Sequence, residues 1–115
     1  MGRTTGIIFV VPVRDVDKAS SFYCDAFGLE EVYRSDNIVF VGFPGTDSAV
    51  GLLKDEASAG SGPQNMGFHL DHALNHDDAV GEIERIGGKV LERGEHAPGV
   101  PFARIADPDG NVLEV

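Results

Sequence analysis

The chain has a single cysteine, Cys24, so no disulfide can form within it, and this scarcity fits a reducing compartment. Basic residues are also few: nine Lys and Arg stand against nineteen Asp and Glu, a formal net charge of −10. A field of that sign repels phosphate backbones and anionic membranes, so neither nucleic acid nor a lipid surface is expected as a partner. It favours a cationic small ligand over an anionic one, although the acids are spread along the chain as a solubilising surface would have them. Long hydrophobic runs are missing. Nothing approaches the roughly 20 apolar residues needed to cross a bilayer, and Ile7–Val13 is too short and too weakly flanked for a secretory signal. A soluble cytoplasmic protein is expected. No glycine run followed by Lys-Ser or Lys-Thr offers a phosphate cradle, and no Ser-His-Asp order stands out.

What is present is strongly patterned. With 115 residues, 42% of them hydrophobic and 24% charged, the chain fits one globular domain over residues 1–115 with a modest core. Ile7–Val13 is β-branched and apolar on both faces, as in a buried strand. Asp15 and Asp17 then supply helix-capping chemistry, Ala19, Phe22, Tyr23, Ala26 and Phe27 recur at helical spacing, and Gly28 ends the run. Strands are expected at Glu30–Arg34, Ile38–Phe43 and Val50–Leu53, separated by polar and glycine-containing turns. The order then repeats after the small-residue connector Ala57–Pro63. Met66–Leu70 reads as a strand. Asp77 or Asp78 is expected to cap a helix with Val80, Ile83 and Ile86 on its apolar face, and Lys89–Arg93, Phe102–Ala106 and Val112–Val115 supply three more strands. The spacing predicts helices near residues 17–27 and 77–87 within two tandem βαβββ units, at about 6–54 and 64–115. The fold class is therefore α+β.

Three stretches carry a resemblance: Val11-Pro-Val-Arg-Asp-Val-Asp-Lys-Ala-Ser-Ser-Phe-Tyr23, then Phe27-Gly-Leu-Glu30, then Asp107-Pro-Asp-Gly-Asn-Val-Leu-Glu114. In this order, across a duplicated βαβββ frame, the chain resembles the vicinal oxygen chelate superfamily. That superfamily includes glyoxalase I, bleomycin-resistance proteins, fosfomycin-resistance enzymes and extradiol dioxygenases. The resemblance implies curled mixed sheets forming half-barrels around a cavity, helices on the outer face, a small organic ligand and a homodimer. In catalytic members it also implies a divalent metal such as zinc, nickel, manganese or iron, held by histidine and glutamate on the first and last strands of each unit. Here those positions fall on Ile8, on Leu53 and on Asn65, none of them a usual ligand, and only Glu114 matches the family pattern. A catalytic metal needs about three protein ligands and an open position, so no metal cofactor is expected.

The residues left to line the cavity are His69, Glu114, Arg104, Phe40, Phe102 and Asn65, with Phe43 a further candidate. If Asn65 faces inward, strand alternation turns His69 the same way, where with Glu114 it could act as a base, hold a ligand or bind an altered metal site. Arg104 could bind a carboxylate ligand or pair with Glu114. His72 and His76 have the i, i+4 spacing of a zinc helix but lack its intervening glutamate, and the helix is expected to begin after them. His96 falls in an expected loop before the seventh strand, exposed to solvent. Cys24 has no cationic neighbour in sequence to activate it and reads as a small packing residue. The leading expectation is a metal-independent small-molecule binder of the bleomycin-resistance type. The alternative is a metal-dependent glyoxalase-like lyase, isomerase or dioxygenase with an altered ligand set.

Overall fold

The computed structural model of the chain describes residues 2–62, 66–71 and 74–115. Strand β1 (Ile8–Val13) leads into helix α1 (Val16–Phe27), and β2 (Glu30–Arg34), β3 (Ile38–Gly42) and β4 (Ala49–Lys54) complete the first unit. The second unit repeats the order with β5 (Met66–Gly67), α2 (His76–Ile86), β6 (Lys89–Ala97), β7 (Val100–Ala106) and β8 (Val112–Glu114). Each unit builds one mixed four-stranded sheet, ordered β1-β4-β3-β2 and β5-β8-β7-β6. In each, the first strand runs parallel to the last and the remaining pairs are antiparallel. The helix supplies the crossover that a parallel pair requires.

Local chemistry explains the element ends. The Asp15 carboxylate accepts from the N–H groups of Asp17 and Lys18 at 2.9 and 3.1 Å, and Gly28 closes α1 in the left-handed region at φ 66°. Helix α2 begins one residue earlier than expected and has a different cap: Asn75 accepts from the Asp78 N–H at 3.0 Å, and neither Asp77 nor Asp78 caps it. His76 is consequently the first helical residue. Strand β3 stops before Phe43, β5 is shorter than Met66–Leu70, and β6 runs on past Arg93 to Ala97.

The helices cover one side of both sheets. Phe22, Tyr23, Val80 and Ile83 bury their side chains against Val11, Val13, Val39, Val41, Val50, Leu52, Ile105 and Leu113, so one apolar cluster joins the two units. Phe27 and Phe68, from different units, stack at 4.1 Å and 8° within it.

The Asp107–Asn111 turn bolts the units together. Tyr23 donates its buried hydroxyl to Asp107 Oδ2 at 2.7 Å, while Asp107 also accepts from the backbone N–H groups of Asp109 and Asn111. Asn111 donates to the Pro12 carbonyl and accepts from the Gly62 N–H. The connector is therefore docked on this turn. Gly60, at φ 90°, lies so close to it that a Cβ would sit 2.6 Å from the Asp109 carbonyl oxygen.

The molecule measures 42 × 38 × 21 Å. Its short dimension holds one sheet layer and one helix layer, with no room for a third. The sheets thus lie side by side, unclosed, and their faces opposite the helices are left open. No helix among the described residues is long and apolar enough to cross a membrane.

Candidate functional site

The open faces differ in chemistry, and strand register fixes which residues share them. On the first sheet, Val10, Gly51, Phe40 and Tyr33 are aligned across β1, β4, β3 and β2, beside a second row of Pro12, Leu53 and Ile38. Gly51 makes room for the neighbouring ring, since a Cβ there would lie 3.1 Å from Phe40 Cε1. Phe40 and Tyr33 meet edge to face at 6.0 Å. This surface is apolar yet open: Ile8 is 55% exposed, Val10 44%, Val32 63% and Tyr33 55%.

The second sheet presents the polar counterpart. Glu92, Arg104, Glu114 and Gly67 form one row across β6, β7, β8 and β5. Next to it, Gly94 opposes Phe102, and His96 stacks on the Phe102 ring at 4.3 Å and 18°. His96 Nε2 lies 3.1 Å from Glu114 Oε2, so its N–H donates to the carboxylate. The result is a carboxylate held by an imidazole that rests on an aromatic ring. The arrangement offers a hydrogen-bond acceptor, a planar stacking surface and the Arg104 guanidinium within two adjacent rows of side chains.

The expected residues are thus redistributed. Glu114, Phe102 and Arg104 share one face, but Glu114 pairs with His96 and makes no ion pair with Arg104. His96 is not in a loop. It belongs to β6, and it is the residue that sequence reasoning missed. Alternation of Glu92, Gly94 and His96 is the signal that could have found it, had the strand expected at Lys89–Arg93 been continued through Gly94, which makes space for Phe102. Phe40 lies on the other sheet. Phe43 sits on the helix side, 5.8 Å from Phe68, and does not join the open face. Asn65 and His72 lie outside the described residues.

His69 lines a different cavity, about 340 Å³, together with Asp71, His76 and Val115. His76 Nε2 lies 3.3 Å from the Val115 carbonyl, while its Nδ1 is buried without a hydrogen-bond partner among the described residues. Cys24 packs against the core. Burial pushes its thiol pKa upward, more than the Ser20 hydroxyl lowers it, so the nucleophilic thiolate is disfavoured.

Among the described residues, the positions that the resemblance implies for a metal bring few donors together. Ile8 and Leu53 bring hydrocarbon to two of the positions, Glu114 is engaged by His96, and no group of three or more His, Cys, Asp or Glu side chains among the described residues could hold an ion.

Comparison with known proteins agrees with this architecture. A probable lactoylglutathione lyase from Synechocystis sp. is 30% identical, covering 92% of this chain and 89% of its own length. Lactoylglutathione lyase from Agrobacterium tumefaciens superposes with a TM-score of 0.75 at 23% identity, over 100% of this chain and 94% of that one. A bleomycin-binding protein from Streptomyces verticillus, solved with copper(II)-bleomycin, gives a TM-score of 0.70 at 20% identity over 99% and 96% of the two chains. Residues 7–115, nearly the whole chain and both βαβββ units, match one family pattern, and the protein belongs to the glyoxalase/bleomycin resistance protein/dioxygenase superfamily.

Proposed function

We propose that this protein is a metal-independent binder of small organic molecules, working as a homodimer in which the polar face of one sheet and the apolar face of another enclose the ligand. The observation that carries the reading is the Glu114–His96 pair stacked on Phe102: the one family-type ligand residue is engaged by a ring that is itself suited to contact a planar molecule. Phe40, from the first sheet, supplies an aromatic surface for the opposite wall, and Arg104 provides a donor that a carboxylate or carbonyl group can use. The net charge of −10 favours cationic ligands. The bleomycin-binding protein from Streptomyces verticillus gives the fold a precedent for this kind of task, by analogy of fold alone.

A specific observation favours a second reading. The Synechocystis relative is named as a probable lactoylglutathione lyase, and its 30% identity extends over most of both chains. In that case the active form is a metal-dependent lyase with an altered donor set that includes Glu114 and His69. Titration calorimetry with zinc, nickel and manganese separates the two. The binder shows no stoichiometric uptake and no metal-dependent glyoxalase activity. Micromolar or tighter binding that disappears in both His69→Ala and Glu114→Ala overturns it in favour of the enzyme.

A further inference from the structure

A second cavity, of about 350 Å³, lies where the two units meet, lined chiefly by Phe9, Phe43, Met66 and Phe68 with Thr46 and Ser48 at its rim. Its aromatic walls lie on the helix side of the sheets, while Ala49 and Gly67, from the rows that carry Ile8 and Glu114, also line it. Phe9 shares the alternation of Val11 and Val13, whose side chains are fully buried in the core, so it points to the helix side of β1, away from Ile8 and Val10. Phe43 and Phe68 stand on that same side.

The walls are already formed. Val50, Met66 and Phe68 are buried, and Phe68 is locked between Phe27 and Phe43 by ring contacts at 4.1 and 5.8 Å. At the mouth, Ile7 and Phe9 remain 63% and 37% exposed, an apolar rim around an apolar hollow. Among the described residues, no charged side chain lines it. The polar side chains among its lining residues are two hydroxyls. Thr46 donates to the Phe43 carbonyl, whereas Ser48 Oγ accepts from the Ile7 N–H and donates to no group among the described residues. A charged ligand would lose hydration here without compensation, and the volume lies at the small end of the ~300–1,000 Å³ typical of ligand pockets, too small for a peptide helix.

We propose that this hollow is a second ligand site, taking a small, uncharged, planar molecule with one hydrogen-bonding group at the Thr46–Ser48 rim. Aromatic edges and the Met66 thioether supply the contacts, and the Ser48 hydroxyl meets the polar group.

The chain's two methionines, Met1 and Met66, make the test direct. Protein labelled with 13C at the methionine methyls is titrated with indole, and with indole-acetate and tryptamine as its anionic and cationic counterparts. Indole is expected to shift the Met66 resonance saturably, with the charged analogues weaker by about tenfold or more. Phe9→Ala is expected to weaken indole to a similar degree. Ile7→Ala, at an exposed apolar wall residue, serves the same purpose if the first variant folds poorly. Glu114→Gln, on the open face, leaves indole binding unchanged while altering the other site. An unmoved Met66 signal overturns the proposal, as does equal binding of the charged analogues. A Met66 shift on simple dilution, without indole, also overturns it by assigning the hollow to a second copy of the chain.

Discussion

At the scale of single residues, Tyr23 is the side chain on which most depends. Its hydroxyl reaches from α1 to Asp107 in the other unit at 2.7 Å, and both groups are buried. Burial, followed by the adjacent Asp107 carboxylate, pushes the phenol pKa far above its ordinary value of 10.0. Tyr23→Phe removes one donor from a carboxylate that keeps its backbone N–H partners, so a loss of about 2 kcal/mol is expected in urea denaturation at neutral pH. The linkage has a definite sign. The folded state retains a proton that the unfolded state releases near pH 10, so this contribution is complete below that pH and declines as pH rises toward the elevated folded value. The stability gap between wild type and Tyr23→Phe therefore narrows above about pH 10, and a gap that stays constant there would show that the hydrogen bond does not control the phenol. Neither partner was legible as such: Tyr23 reads as a stripe aromatic and Asp107 as a turn residue, because a bond between residues so far apart in sequence leaves no local pattern.

At the scale of elements, the helices were the most readable part of the chain. Helical spacing of apolar residues and terminal glycines placed both within a residue at either end, since those signals arise within a single turn. The cap of α2 was misassigned because Asn75, Asp77 and Asp78 are all competent acceptors, and only backbone geometry selects among them. Asn75→Ala is expected to cost about 1 kcal/mol in thermal or urea unfolding and Asn75→Asp much less; Asp77→Ala should retain the cap. Gly81, in the same helix, faces open space, and Gly81→Ala is expected to raise stability by up to about 1 kcal/mol. Strand ends were less legible than strand existence. Strand β6 continues beyond Gly94 because Phe102 of β7 occupies the space that a side chain there would fill, a cross-strand fact absent from either segment alone. His96 was missed for that reason. The apolar open face, by contrast, was foreshadowed by Ile7–Val13, whose two apolar sides require cover on both.

At the scale of the whole molecule, only one of those two sides is covered. The helices bury Val11 and Val13, while Ile8 and Val10 stand on a sheet face that the slab's 21 Å thickness leaves open. An exposed row of Val10, Phe40 and Tyr33 is the kind of patch that marks an interface, and self-association through a two-fold axis would cover the face in both copies at once. The expected outcome is a homodimer in sedimentation equilibrium at micromolar concentration. Val10→Glu places a carboxylate in the middle of that row without entering the helix-side core. It should shift the protein toward monomer while leaving its far-ultraviolet circular dichroism unchanged. If the wild type is a clean monomer, the enclosed cleft between facing sheets loses its basis, and the Glu114–His96 surface must bind its ligand in the open. If a dimer persists in Val10→Glu, the two copies meet elsewhere, and the apolar face is left as a wall of the ligand site alone.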